Sequence, residues 1–221
     1  MPDDRMQQMS AEFQKMVDEF FNIQSRYSAA IREIQTKLEI LDDEFQLRHK
    51  RNPIHHIETR MKSIQSMMEK LRRKNHPVNM DSAVENLSDI AGIRVICSYV
   101  QDVYTVARLL TSQDDIHLIR MRDYIREPKE NGYRSLHLIV EIPVFLSEGR
   151  INVPVEIQIR TIAMDFWASL EHSMRYKAQG NVPNEICDEL QQVGEDIAAL
   201  DKRMQSIHDR IEAIAAQQNR A

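Results

Sequence analysis

The chain has 221 residues, 42% of them hydrophobic and 29% charged, with a formal net charge of −5, which suits one globular unit with or without a helical appendage and argues against a general nucleic-acid binder. No uninterrupted apolar run exceeds five residues (Ile142 to Leu146), far below the ~18 of a membrane helix, and the first ten residues carry no apolar signal core. The two cysteines, Cys97 and Cys187, lie too far apart in the chain to suggest a disulfide framework or a cysteine-based zinc site, so a reducing cytoplasm is the expected compartment.

Apolar residues at 31, 34, 38, 41 and 45 step by three and four and extend an irregular stripe that begins near Phe13, which predicts a long amphipathic helix over about 8–48. Pro53 in the HKRNP stretch ends it. A second helix is predicted over about 59–74 with Ile64, Met67, Met68 and Leu71 inward, and Ser82-x-x-Glu85 reads as a capping box opening a short helix. The period then changes. Residues 93–99 are β-rich, 101–112 are helical, 116–122 form another strand, and 134–144 read as a strand that turns at SEGR (147–150) into a last strand over 151–160. In that strand Val153, Val155, Ile157 and Ile159 point one way while Glu156, Gln158 and Arg160 point the other. A polar triplet on one sheet face must meet solvent or a ligand, and it is the best purely physical pointer to a site.

Residues 161–178 return to helix, and Pro183 breaks it. The tail carries Ile186, Leu190, Val193, Ile197, Leu200, Met204, Ile207, Ile211 and Ile214, a heptad seam of alternating four- and three-residue steps. Such a seam wants a partner, either the 31–45 helix of the same chain or another subunit. The expected fold is α+β: a mixed sheet of about five strands flanked by helices, with long N- and C-terminal helices. The chain divides into a helical segment over 1–52, a central domain over 53–178 and an oligomerisation helix over 179–221.

Charge is unevenly spread. From Arg48 to Lys74 there are nine Lys/Arg against two acids, Glu58 and Glu69, whereas Glu185 to Asp201 holds six acids and no Lys/Arg. A second basic stretch holds Arg120, Arg122, Arg126, Lys129 and Arg134. The five glycines, at 92, 132, 149, 180 and 194, form neither a P-loop nor a dinucleotide fingerprint, so any phosphate must be held by side chains. Three clusters could do so. Lys62, Ser66 and Lys70 would share one helix face and could hold a triphosphate, or be a solvated face. Asp89 precedes a strand that carries Arg94; Asp89 reads as a turn residue alone and as a magnesium ligand if paired with Glu156. Pro128 and Asn131-Gly132 mark a loop bearing Lys129, Tyr133 and His137, suited to a base and its phosphates, although Tyr133 equally reads as a buried strand residue and His137 as a core histidine.

Together these clusters resemble the synthetase domain of the RelA/SpoT alarmone enzymes, through RMKSIQSMMEK (60–70), DIAGIRVI (89–96), DYIREPKENGYRSLH (123–137) and VEIQIRTIAMDFWASLEH (155–172). Length and terminal helices are similar to the single-domain small alarmone synthetases of the RelP/RelQ type. The only His-Asp pair, His208-Asp209, lies in the heptad helix, and the hydrolase domain of the long enzymes, for which there is no room, is not expected. The resemblance implies transfer of the β,γ-diphosphate of ATP to the 3′-hydroxyl of GDP or GTP, giving ppGpp or pppGpp plus AMP. It further implies Arg60 and Arg94 around the adenine, with Lys62, Ser66 and Lys70 on the ATP phosphates. Asp89 and Glu156 would hold Mg²⁺, with Glu156 also activating the hydroxyl. Tyr133 would stack on guanine, Arg122, Lys129 and His137 would hold the acceptor phosphates, and Gln158 and Glu171 would complete the acceptor site.

By the same resemblance a homotetramer is expected, and some relatives are activated by pppGpp in a cleft between subunits. The segment expected to line that cleft reads His55-His56-Ile57-Glu58-Thr59 here, where Glu58 would repel phosphate, and Asp165 at the acceptor end is equally unsuited. A RelP-like enzyme without strong pppGpp activation is therefore expected. The competing readings are a catalytically inert guanine-nucleotide or RNA-binding regulator, whose affinity would fall steeply with salt, another nucleotidyltransferase-like activity, and a helical scaffold with an inert central domain.

Overall fold

The structure is a computed structural model that describes residues 2–49, 51–178 and 182–218, with side chains described at 17, 20–48, 51–174, 177–178 and 182–218. The side chains at the start of the apolar stripe near Phe13, and Lys50 of the basic stretch, the 179–181 link and the last three residues, lie outside the described parts. In chain order the elements are α1 (Pro2–His49), β1 (Ile54–Met61), α2 (Ile64–Arg73), α3 (Met80–Asn86), β2 (Ala91–Cys97), α4 (Val100–Thr111), β3 (His117–Asp123), β4 (Leu136–Leu146), β5 (Gly149–Thr161), α5 (Ile162–Lys177) and α6 (Asn184–Gln218). The five strands form one mixed sheet in the order β1-β2-β5-β4-β3, with only the β2–β5 pair parallel. The α+β fold with long terminal helices is thus as expected.

One sheet face is apolar because β2, β4 and β5 alternate. Val95, Ile159 and Leu136 stand side by side across the sheet, as do Ile93, Ile157 and Leu138, all essentially without solvent contact. The stripe of α1, Ile23, Tyr27, Ala30, Ile31, Ile34 and Leu38, is buried in the same core, and α1 packs on β1, β2, β4 and β5. Each fully buried Ile or Leu contributes about 1.5–3 kcal/mol. The chain turns out of α1 through polar ties: Asp42 accepts from the Ile54 backbone at 3.1 Å, and Arg51 grips the buried Asp102 of α4 at 2.6 and 3.0 Å.

Three local expectations are corrected. The helix expected over 59–74 is two elements: residues 54–61 pair with β2 as an edge strand, and the helix starts after Ser63, whose hydroxyl accepts from the Ser66 backbone at 3.2 Å. That strand is polar on one side and only thinly apolar on the other, so it lacks the alternation that betrays a strand. Lys62 consequently lies between strand and helix, and Lys62, Ser66 and Lys70 do not share one helix face. The short helix is capped a turn earlier than Ser82, by Asn79, whose side chain accepts from the Ser82 backbone at 2.8 Å. Ser82 sits inside the helix and is buried.

The tail helix α6 packs chiefly on elements other than α1. It rests on α5 and α4, while the 31–38 stretch of α1 is spent on the sheet. The face of α6 turned to its own chain carries Cys187, Leu190, Gly194, Ile197, Ala198, Asp201, Gln205 and His208, so two seam residues are partly spent, and Ile186, Val193, Leu200, Met204, Ile207, Ile211 and Ile214 remain exposed. No helix among the described residues is long and apolar enough to cross a membrane.

Candidate active site

The polar sheet face is built by register. Glu58, Arg94, Gln158, His137 and Arg122 are successive cross-strand partners, so one row of polar side chains crosses all five strands. Two residues along, the next row is Arg60, Gly92, Glu156, Ile139 and Arg120. Gly92 contributes no side chain, which leaves open floor between Arg60 and Glu156. A cleft of about 240 Å³ lies here, lined by Arg60, Lys62, Asp89, Arg94, Glu156 and Gln158 among others. A second, of about 410 Å³, holds Lys70, Lys74, Arg120, Arg122, Lys129 and His137. Asp89 and Glu156 line both, so the two carboxylates stand where the clefts meet.

Asp89 Oδ2 accepts from Lys62 Nζ at 2.8 Å and from Lys70 Nζ at 2.5 Å, while Oδ1 is buried with no hydrogen-bond partner. Burial pushes this carboxyl up, and the two ammonium groups outweigh it, leaving Asp89 below its ordinary range. Glu156 Oε2 accepts from Gln158 Nε2 at 3.0 Å, and Oε1 faces His137 Nδ1 at 3.8 Å. Here too burial raises the carboxyl, and His137 and Gln158 pull it below its ordinary value against the charge of Asp89. Both carboxylates are therefore ionised at neutral pH.

The far end of the second cleft is aromatic. The turn at 129–132 is closed by Gly132 N–H to the Lys129 carbonyl at 2.8 Å and by Lys129 N–H to the Tyr133 carbonyl at 3.2 Å. It holds Lys129 Nζ over the rings of Tyr124 and Tyr133, at 4.8 and 4.7 Å from their centroids. Arg160, which can only donate, donates a hydrogen bond to Tyr133 Oη at 2.6 Å, and that oxygen lies 2.8 Å from His137 Nε2, so Tyr133 links Arg160 to His137.

Of the residues singled out from the sequence, Arg60, Lys62, Asp89, Arg94, Glu156 and Gln158 come together in the first cleft, and Lys70, Arg122, Lys129 and His137 in the second, with Tyr133 at its edge bonded to His137. Two stand apart. Ser66 lines neither cleft, and its hydroxyl accepts from Ser63 at 3.0 Å. Glu171 is buried behind the 129–133 turn, where it accepts from Asn131 Nδ2 at 3.0 Å. Glu58, expected in a regulatory cleft, lines the first cleft and accepts from Arg94 Nη1 at 2.9 Å. Asp165 likewise sits on this face, 3.1 Å from Arg160 and 3.5 Å from Arg94. The alternation of β5 placed Arg160 on the polar face, but sequence reasoning assigned it no role of its own; the structure buries it at the centre of contacts to Tyr133, Gln158 and Asp165. Tyr124, Lys74 and Arg120 were likewise given no individual role.

Residues 59–181 match the family described as a region found in RelA / SpoT proteins. The chain is 44% identical over 186 residues to GTP pyrophosphokinase YwaC of Bacillus subtilis (strain 168), covering 84% of this chain and 89% of that protein. Among solved structures it is similar to small alarmone synthetase 2 from Bacillus subtilis, with 42% identity, a TM-score of 0.79 and 87% of this chain and 99% of that one covered. It is also similar to small alarmone synthetase 1 from the same organism, bound to its product pppGpp, with 36% identity, a TM-score of 0.82 and 88% and 99% coverage. With the motifs in order and the sheet carrying them onto one face, the chain belongs to the RelA/SpoT family of GTP pyrophosphokinases, among the small alarmone synthetases.

Proposed function

We propose that this chain transfers the β,γ-diphosphate of ATP to the 3′-hydroxyl of GDP or GTP, with the donor in the first cleft and the acceptor in the second. The observation that carries the assignment of the clefts is their meeting at Asp89 and Glu156. Arg60 and Arg94 stand at diagonal positions of neighbouring antiparallel strands, about 7–8 Å apart. That spacing admits one planar base between two guanidinium groups, and adenine takes it. Lys62 and Lys70 exchange Asp89 for the ATP phosphates, and Ser66 joins them by turning from Ser63. Tyr133 stacks on guanine, while Arg122, Lys129 and His137 hold the acceptor's phosphates. Gln158 steadies Glu156, and Glu171 acts through Asn131.

The ionised Glu156 takes the 3′-hydroxyl proton. The oxygen attacks the β-phosphorus, the bond from that phosphorus to the α,β-bridging oxygen breaks, and AMP leaves with the electron pair. Positioning and charge neutralisation supply most of the acceleration in such a transfer. Asp89 and Glu156 would hold Mg²⁺. The unpartnered buried Oδ1 of Asp89 and the hard oxygens of Glu156 suit an ion that takes one or two carboxylates and completes its shell with phosphate oxygens and water. Bound there, it neutralises phosphate charge.

The exposed apolar seam of α6 supports assembly into a homotetramer through the terminal helices, and the composition supports a cytoplasmic enzyme. The absence of strong stimulation by added pppGpp rests on the family resemblance alone, since Glu58 lines the first cleft; a several-fold rise in rate would overturn that part. The activity itself is tested by thin-layer chromatography of γ-labelled ATP with Mg²⁺ and either GDP or GTP. Label should appear in ppGpp or pppGpp. Label that stays in ATP with folded protein would leave a nucleotide-binding regulator.

A further inference from the structure

The C-terminal helix does more than expose a seam, because two of the chain's five glycines meet where α6 passes the acceptor loop. A Cβ on Gly194, buried in the middle of α6, would lie 2.9 Å from the carbonyl oxygen of Gly132 and 3.2 Å from its Cα. A Cβ on Gly132 would lie 3.2 Å from both the Cα and the carbonyl oxygen of Gln191, and Gly132 also has φ +87°, which favours glycine on its own account. These are backbone-to-backbone contacts, so no flexible side chain can swing aside. Glycine is a poor helix former, and its place within a 35-residue helix is accounted for by this close approach.

Two side-chain ties hold the same junction. Trp167 of α5 donates its indole N–H to the Leu190 carbonyl of α6 at 2.9 Å, with its ring centroid 6.5 Å from that of Tyr133. Asn131, next to Gly132, donates to Glu171 of α5 at 3.0 Å. The tight turn that carries Lys129 and Tyr133 is thus seated on α6 and tied to α5 at a single place.

We infer that α6 forms the back wall of the acceptor site and that Gly194 is a positioning residue, setting the height of the 129–133 turn and with it Lys129 and Tyr133. The inference rests on the pyrophosphokinase reading for its kinetic consequence alone; the seating of the loop on α6 does not depend on it.

The test is Gly194→Ala in the full-length chain. Alanine favours helix more than glycine, so a weakened helix cannot produce the expected change. Moving the Gly132 carbonyl to an ordinary contact displaces the turn by a few tenths of an ångström. The acceptor KM should rise about tenfold while the ATP KM stays within twofold, since sub-ångström misplacement acts only on the substrate that the loop holds. Trp167→Phe, which keeps a ring and removes the bond to Leu190, should shift the acceptor KM in the same direction by about threefold. Amide exchange at Lys129 and Gly132 should quicken in both variants. Unchanged acceptor KM and unchanged loop exchange in both, or equal rises in both KM values, would overturn the inference. A wild-type chain that makes no product would instead sink the pyrophosphokinase reading, and the exchange measurement would still decide whether Gly194 seats the loop.

Discussion

Replacing Glu156 by glutamine removes one negative charge and almost no volume from the point where the two clefts meet. The side chain is 23% exposed, accepts from Gln158 at 3.0 Å and faces His137 at 3.8 Å. A glutamine oxygen can still accept from Gln158, and losing a charge beside Asp89 relieves repulsion, so stability should change by no more than about 1 kcal/mol. Turnover should respond very differently. The wild-type carboxyl lies below its ordinary value and is ionised throughout the neutral range, whereas an amide cannot take the 3′-hydroxyl proton at any pH. Loss of a general base costs about 10²–10⁴ in rate. A fall in kcat of at least about a thousandfold, about 4 kcal/mol of barrier, is expected, with nucleotide affinities nearly kept. Chromatography of labelled product gives kcat, calorimetry gives the affinities, and a melting curve certifies the fold. A variant that turns over within tenfold of wild type would remove Glu156 from proton transfer.

Tyr133→Ala should raise the acceptor KM about five- to 150-fold, the worth of one stacked base at about 1–3 kcal/mol, whereas Tyr133→Phe should stay within about fivefold because the ring is kept and only the bridge between Arg160 and His137 is lost; equal effects of the two would refute stacking. Asp201 is buried, the Thr161 hydroxyl being the one donor to its side chain among the described residues, at 2.6 Å, and its folded-state pKa is raised by burial. A raised acid pKa means that the fold binds more protons than the unfolded chain, so stability falls as pH rises through the window between the two values. Asp201→Asn, which can still accept from Thr161, should therefore raise Tm at pH 7 to 8 and lose that advantage below about pH 4; a gain that persists in acid would refute the assignment. Leu200→Ser together with Ile207→Ser removes two exposed seam residues, so light scattering should report smaller particles with the circular dichroism unchanged, and truncation after Ala178 should do the same to the assembly. Full-size particles would show that the assembly does not use the seam.

What was legible in the sequence follows from periodicity and turn chemistry. Alternation along β5 separated Glu156, Gln158 and Arg160 from the valines and isoleucines that pack under α1, and this is local geometry that every strand obeys. Pro128 and Asn131-Gly132 likewise marked the acceptor loop before any contact was known. The edge strand β1 was illegible, since hydrogen bonding to β2 holds it extended although its own residues show little alternation, and the helical pattern from 64 onward extends back to 59 in the sequence reading. Tertiary structure alone decided that Asp89 meets Glu156, because the strand order β1-β2-β5-β4-β3 sets residues from distant parts of the chain in adjacent rows. It also decided which side of α6 is spent. The heptad seam announced an apolar stripe, but the chain docks an adjoining face on itself, taking only Leu190 and Ile197 from the seam, since only Gly194 lets the helix backbone approach Gly132 closely enough to back the 129–133 turn. A sequence records which side chains a segment offers; which of them are used depends on how near two backbones can come, and that is fixed only when the elements pack.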